Sequence, residues 1–224
     1  MKKKLLALTL AFVLLVSLLA ACGGNGGNGA TPTPAEPEAT PAPEVGNPMR
    51  GVWDGDVFTS QYLGFRFEMP EGWLAATDEE IAELLGLGAD MIAQGTDLGD
   101  IMEVMDLTTV TDIMVSDPIT GANLSIAFER LVFPHNRLSA QEYMEIASDL
   151  LLTMGMEVNF DFPGTTRIGA YDWYSYQSIM DIGINIYGRY FVNVEGGFAR
   201  VISIIYSEGQ EDLVDELLGR FSSL

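Results

Sequence analysis

The sequence has 224 residues, a formal net charge of −21, one cysteine and one histidine. A chain this acidic repels nucleic acid and anionic lipid head groups, so we expect neither as a partner. A single cysteine excludes a disulfide within the chain, and stability must therefore come from a hydrophobic core.

The chain begins with features of an exported, lipid-anchored protein. Three lysines precede an apolar run at residues 5–19, which is shorter than the ~20 residues of a membrane-spanning helix. We interpret residues 1–21 as a secretory signal peptide. The segment Leu19-Ala20-Ala21-Cys22 resembles the lipobox of bacterial lipoproteins. The resemblance implies cleavage before Cys22, acylation of that residue, and anchoring at the extracytoplasmic face of the bacterial cell membrane. The alternative is a plain secreted protein.

Residues 22–49 have the composition of a tether. A stretch of Gly and Asn is followed by alternating prolines and three glutamates, with almost nothing to bury. We expect this segment to be disordered or partly polyproline, and residues 50–224 to form one domain. The order of anchor, spacer and domain suits a Gram-positive envelope, with an envelope protein as one possible partner. The three lysines all lie in the leader, so eight arginines supply the remaining cations.

Periodicity predicts the first strands and helices of the domain. Phe65, Phe67 and Met69 alternate with polar residues or glycine after a short strand at 57–62, which predicts a half-buried strand ended by Pro70. Two capping boxes predict helix starts: Thr77 with Glu80, and Ser139 with Glu142. The fold of residues 86–107 stays ambiguous, and a looser helix is one possibility.

The remaining pattern is mostly strand. A hairpin is predicted at 109–116 and 122–133 around the turn sequence DPITG, and four strands follow at 157–162, 171–179, 184–194 and 198–206. A two-glycine turn joins the last pair, and a final helix is predicted at 210–221. Antiparallel strands with a few separate helices are typical of the α+β class, with helices covering the sheet on both sides.

Several of these segments together resemble the PsbP-like group. They are LGFRFEMPEGW, the helix SAQEYMEIASDLL, and the hairpin GRYFVNVEGGFARVISIIYS followed by EDLVDELLGRF. The resemblance covers roughly residues 50–224 and implies an α-β-α sandwich around a mainly antiparallel sheet. The group has no shared catalytic residues to transfer to this chain.

The sequence offers little catalytic chemistry. We interpret His135, the sole histidine, as an exposed loop residue, and the absence of lysine after the leader excludes a Walker A loop or a Schiff base. We predict no catalytic residue, no metal site and no cofactor. Calcium remains an alternative for Asp54 with Asp56, or for the four acids at 97–106. A hydrolase with paired carboxylates is the least favoured alternative.

An aromatic strand supplies the most suggestive binding residues. In YDWYSYQ, alternation places Trp173 on one side and Tyr174 and Tyr176 on the other. We predict that Trp173, Tyr174, Tyr176 and Arg189 are binding residues, and the alternative is ordinary packing of both faces of the strand.

These features lead to one functional prediction and two alternatives. We predict a membrane-anchored, non-catalytic binding or accessory module. The alternatives are a carrier or sensor of a small apolar ligand between helices and sheet, and the carboxylate hydrolase.

Overall fold

The computed structural model describes residues 50–83, 109–131, 135, 137–153, 159–181 and 185–224. The predicted leader, Cys22, the tether and the ambiguous segment 86–107 lie outside these residues. Within the described ranges, no helix is both long enough and apolar enough to cross a membrane.

The described residues are mostly antiparallel strand, with few helices, which agrees at a coarse level with the predicted α+β class. The strands are β1 Val52–Asp54, β2 Val57–Ser60, β3 Phe65–Glu68, β4 Leu74–Ala75, β5 Thr109–Ser116, β6 Asn123–Arg130, β7 Asn159–Ile168, β8 Tyr171–Asp181, β9 Asn185–Glu195, β10 Phe198–Ser207 and β11 Phe221–Ser223. The helices are α1 Ala140–Thr153 and α2 Asp212–Gly219, and residues 78–83 are also helical.

The strands form two antiparallel sheets. The small sheet has the order β1-β2-β3-β11, and the large sheet has the order β4-β5-β6-β10-β9-β8-β7. In the small sheet, Phe65 and Phe67 are buried while Arg66 and Glu68 are exposed, as the alternation in the sequence predicts. Neighbours in the large sheet come from distant parts of the chain, since β6 pairs with β10.

The predicted turns and capping boxes are confirmed. Glu195 pairs with Phe198 across the two-glycine turn, whose residues both have positive φ, 61° and 80°. At the start of α1, Ser139 N donates to Glu142 Oε2 at 2.8 Å, and Glu142 N donates to Ser139 Oγ at 3.2 Å. Thr77 and Glu80 make the same reciprocal bonds before residues 78–83.

The predicted final helix is too long. It ends at Gly219, and Phe221 instead begins β11, where it pairs with Phe67. The ring of Phe221 lies edge-on to Phe65, with centroids 4.9 Å apart. Phe221 is partly buried against the core cluster, and this aromatic packing favours the extended end.

Several strands also differ from the prediction. The strand β6 stops at Arg130, and β1 and β4 were not predicted. The strand β7 runs on to Ile168, because a register irregularity between Asp161 and Gly164 lets Pro163 stand within an edge strand.

The two faces of the large sheet differ in chemistry. On the apolar face, Ile126, Phe191 and Ile202 pack in one core cluster with the small sheet and with α2. On the opposite face, called the polar face below, α1 buries Tyr143 and Met144 against the sheet. In the described residues one helix packs on each side of the large sheet, and on the apolar side α2 is joined by the small sheet, which was not predicted to lie there.

Candidate functional site

The polar face is built by a strand whose sequence suggests exposure to water. In β6, Leu124, Ile126 and Phe128 point to the apolar core, and the alternate positions include Asn123, Ser125 and Glu129. Such alternation is typical of a sheet with one face in solvent. All three polar residues are nevertheless buried, with at most 3% of their surface exposed. The strand is therefore covered on its polar side as well.

One cross-strand row carries this polar character across four strands, and the rows on either side of it contain the buried residues Val192, Val201 and Ile205. Ser125 on β6 pairs with Ser203 on β10, which pairs with Tyr190 on β9, which in turn pairs with Tyr176 on β8. Paired residues share a face. The Ser125 and Ser203 hydroxyl oxygens lie 2.7 Å apart and form a buried hydrogen bond.

A glycine marks the point where hydroxyl groups converge. Ser178 Oγ donates to the Tyr190 hydroxyl at 3.4 Å, next to Gly188 on the neighbouring strand. A Cβ at Gly188 would overlap the Tyr190 hydroxyl and lie 2.7 Å from Ser178 Oγ. Burial raises the pKa of Tyr190 to about 12, so its hydroxyl stays protonated at neutral pH. The glycine leaves room for these hydroxyl groups above the sheet.

A carboxylate and a phenol close the other end of the polar face. The Tyr143 hydroxyl on α1 donates to Glu129 Oε2 at 2.7 Å, and both residues are buried. Burial and the charge of Glu129 hold the pKa of Tyr143 well above its usual value. The capping box at Ser139 fixes the start of α1 and hence the position of Tyr143.

The predicted binding residues do not form one site. Trp173 is fully buried on the apolar side, and its indole Nε1 donates to Ile168 O at 2.9 Å. It therefore packs in the core and presents no surface to a partner. Tyr174 and Tyr176 lie on the polar face, where Tyr174 is 42% exposed and Tyr176 is buried. Burial, followed by Tyr174 and Glu145, raises the pKa of Tyr176 to about 12.

Arg189 lies on the side of the sheet opposite to the two tyrosines. Its Nε donates to Ser175 Oγ at 3.1 Å and its Nη1 donates to Gln177 Oε1 at 2.8 Å. Next to it, Ile179 pairs with Tyr187 and is 51% exposed. We call Gln177, Ile179, Tyr187 and Arg189 the β8–β9 surface. The ring of Tyr206 stacks on that of Tyr187, with centroids 5.7 Å apart, and holds it in place.

A second buried carboxylate lies where the described chain begins. Asp112 accepts a hydrogen bond from Gly51 N at 3.0 Å, and Arg50 lies between Asp112 and Asp78. Burial raises the pKa of Asp112 to about 6, and the Gly51 N–H and Arg50 only partly oppose that effect. A raised carboxyl pKa also occurs in hydrolytic sites. The Asp112 side chain has no exposed surface, however. Its contacts therefore hold residues 50–51 in place.

Two other predictions concern His135 and the acidic residues considered as calcium ligands. His135 is buried, whereas an exposed loop residue was expected, and its backbone oxygen accepts from Leu138 N in a turn before α1. No group of three or more His, Cys, Asp or Glu residues that could hold a metal ion occurs in the described part of the chain. The four acids at 97–106 lie outside that part.

Sequence reasoning missed the polar face. The signal was present in NLSIAFER, where every second residue of β6 before Arg130 is polar or small. Alternation reveals that two faces differ, but it does not reveal that both are covered.

Comparison with known proteins gives structural likeness alone. No family model matches the chain, and no curated protein sequence matches it. The structure is similar to the solution structure of cyanobacterial PsbP (CyanoP) from Synechocystis, at 12% identity and a TM-score of 0.43, over 75% of this chain and 91% of that chain. It is similar to a crystal structure from Bacteroides thetaiotaomicron at 11% identity and a TM-score of 0.36, over 72% and 45% of the two chains. It is also similar to a mutant of the protein Mog1 at 10% identity and a TM-score of 0.39, over 71% and 90%.

Proposed function

We propose that this chain is a bacterial lipoprotein, anchored through Cys22 at the extracytoplasmic face of a Gram-positive cell membrane. In this proposal, residues 50–224 form a PsbP-like α-β-α sandwich that acts as a non-catalytic binding or accessory module for an envelope protein. The lipobox in the sequence supports the anchor, and the quoted resemblance supports the type of domain.

The observation that carries the binding role is the β8–β9 surface. It combines an exposed isoleucine, a tyrosine stacked on a second tyrosine, and an arginine held in place by two neutral side chains. Tyrosine and arginine are enriched among residues that dominate binding energy, and a pre-ordered side chain loses less entropy on association. Arg189 has no carboxylate within ion-pair distance among the described residues, which favours a partner that presents one.

Site-specific photocrosslinking in the cells that produce the protein tests this proposal. A crosslinking residue placed at Ile179 should give one discrete adduct with an envelope protein. The matched control is Ile119, which is 91% exposed at the tip of the β5–β6 hairpin, on a different part of the surface. Arg189→Ala should abolish the adduct at 179. Equal adducts at both positions, or none at 179, would contradict the proposal.

A further inference from the structure

The β8–β9 surface has side chains that suit a proline-rich chain. The ring of Tyr187 is partly buried and rests on Tyr206, and the exposed Ile179 lies beside it. Domains that recognise polyproline segments pack the proline rings against aromatic side chains. A proline-rich chain also loses little entropy on binding, because its φ angles are already fixed.

Arg189 adds a preference for negative charge on that chain. The two side chains that hold its guanidinium, Ser175 and Gln177, are neutral. None of the ion pairs among the described residues includes Arg189. A carboxylate placed beside it would form a charge-assisted hydrogen bond, about twice as strong as a neutral one. The surface therefore fits a chain that carries acidic residues between its prolines.

The tether of this protein has that composition. Residues 31–48 contain six prolines, three glutamates and no basic residue. Within them, Pro34-Ala35-Glu36-Pro37 has the PxxP spacing of recognised polyproline segments, and Glu38 follows directly. The segment thus offers both the proline rings and the carboxylates that the β8–β9 surface lacks.

The tether also joins the domain on the same side of the large sheet as this surface. Gly51 lies against the ring of Phe58, which belongs to the core cluster on the apolar side. Arg189 pairs with Ile204, which belongs to the same cluster. No crossing of the sheet is therefore needed to bring the two together.

The tether is long enough to reach. Asp112, which holds Gly51, lies three strands from β9 and about four residues along the strand direction from Tyr187. These offsets give a straight distance of about 20 Å. The chain between Pro37 and Arg50 spans about 40 Å at polyproline length, which leaves room for a curved path over the domain. Docking within one chain takes place at an effective concentration on the order of millimolar, so even a weak contact fills the surface.

We propose that residues 34–38 of the tether dock on the β8–β9 surface of the same chain, with their glutamates beside Arg189 and their prolines against Tyr187 and Ile179. The inference rests on the binding role proposed above for this surface. The tether occupies the surface until an envelope protein displaces it, and it therefore lowers the apparent affinity for that partner.

Crosslinking in the purified protein tests this contact. The full chain carries a photocrosslinking residue at position 179 and is purified in detergent, free of other proteins. Tandem mass spectrometry of the digested chain should join position 179 to a peptide that contains residues 34–38. The same crosslinker at Ile119 should give no crosslink to that peptide. Crosslinks from 179 to other segments only, or a product of twice the chain mass, would overturn the proposal.

Charge variants test the role of the glutamates. Glu36→Gln/Glu38→Gln removes two carboxylates and keeps every proline. We expect the yield of the tether crosslink at 179 to fall roughly tenfold, because the charge-assisted contacts to Arg189 are lost. The matched control Asp54→Asn/Asp56→Asn removes the same charge from two exposed residues and should leave the yield unchanged. Equal losses in the two variants would show that net charge alone acts, and would contradict the proposed contact.

The docking of the tether and the binding of an envelope protein can fail separately. In cells, Glu36→Gln/Glu38→Gln should raise the yield of the envelope-protein adduct at Ile179, because the tether no longer competes. An envelope-protein adduct in cells without a tether crosslink in the purified chain would reject the docking alone. A tether crosslink without any envelope-protein adduct would reject the partner alone. An adduct yield that the variant leaves unchanged would show that the tether does not compete, against this inference.

Discussion

Arg200 Nη2 donates a hydrogen bond of 2.6 Å to the hydroxyl of Tyr62, and this contact joins the large sheet to the loop between β2 and β3. The guanidinium also lies 4.9 Å from the Tyr62 ring centre and 4.4 Å from that of Tyr171. Its Nη1 donates to Asn193 Oδ1 at 2.6 Å. A buried cation is thus held by aromatic rings and neutral acceptors, and it connects parts of the chain that are distant in sequence.

Replacing this cation should destabilise the fold. We expect Arg200→Ala to lower the free energy of unfolding by about 3 kcal/mol, because cation–π contacts and charged hydrogen bonds are lost in a buried position. Arg200→Lys should recover only part of this loss, since an ammonium group lacks the planar fork. Urea denaturation measures both changes. The control Arg167→Ala breaks an exposed ion pair and should cost less than about 1 kcal/mol. Equal losses would mean that Arg200 contributes no more than a surface residue.

The turn between β7 and β8 requires glycine for two separate reasons. Gly169 has a φ of 59°, and a Cβ there would lie 2.6 Å from Leu63 O. Gly196 has a φ of 61° with nothing near its Cβ position. Gly196→Ala should cost about 1 kcal/mol from the backbone conformation alone. Gly169→Ala should cost about twice that or more, because the loop at Leu63 must also move. Thermal unfolding of the two variants compares them, and similar melting temperatures would show that the close approach relaxes freely.

The raised pKa of Asp112 predicts a pH dependence of stability. Its value of about 6 lies above the unfolded value of 3.8, so between these pH values the folded chain keeps a proton that the unfolded chain has lost. The contribution of Asp112 to the free energy of unfolding is therefore greatest below pH 4 and falls as the pH rises to 6. Asp112→Asn removes this titration. Relative to the variant, the wild type should lose about 3 kcal/mol between pH 4 and pH 7.

A neighbouring carboxylate, Asp78, has the opposite effect on how stability depends on pH. The hydrogen bond from Arg50 lowers the pKa of Asp78, so its stabilising effect is present at neutral pH and is lost as the pH falls. The Asp78 effect is lost only below its ordinary pKa of 3.8. Urea denaturation of wild type, Asp112→Asn and Asp78→Asn must therefore run from well below pH 4 up to pH 7 to separate the two effects. Parallel curves for wild type and Asp112→Asn would show that Asp112 does not titrate in this range.

The Tyr143–Glu129 pair should behave as a coupled unit. Tyr143→Phe removes a donor from a buried carboxylate, and we expect a loss of about 2 kcal/mol at neutral pH. The same change should cost less in a chain that already carries Glu129→Gln, because the acceptor is then uncharged. A double-mutant cycle by urea denaturation measures the coupling. A coupling near zero would show that the hydrogen bond adds nothing to the stability of α1 on the sheet.

Local patterns predict the local structure of this chain well. Alternation at Phe65 and Phe67 identifies β3, the residues of each capping box identify a helix start, and adjacent glycines identify the β9–β10 turn. Each of these signals acts over a few neighbouring residues, through backbone hydrogen bonds or positive φ. Short edge strands such as β1 and β4 give no such signal, because two or three residues do not establish a period.

Long-range packing determines the contacts that the sequence pattern did not predict. Nothing near Ser125 in the sequence indicates that Ser203 lies opposite it, or that both serines are covered. Alternation within β8 does predict that Trp173 and Tyr174 face opposite sides, but the side on which Arg189 lies is decided by the register between β8 and β9. The anchor at Cys22 and the binding role of Arg189 remain predictions.

The pairing of Phe67 with Phe221 has a consequence for how the chain is made. The small sheet cannot close until β11 has emerged from the ribosome, and the large sheet cannot close until β10 has emerged. Synthesis adds about 5–20 residues per second, so β3 waits roughly 8–30 seconds for β11. During that interval the apolar side of β3 has no native cover. A nascent chain of this topology therefore exposes apolar strand surface until its synthesis is nearly complete.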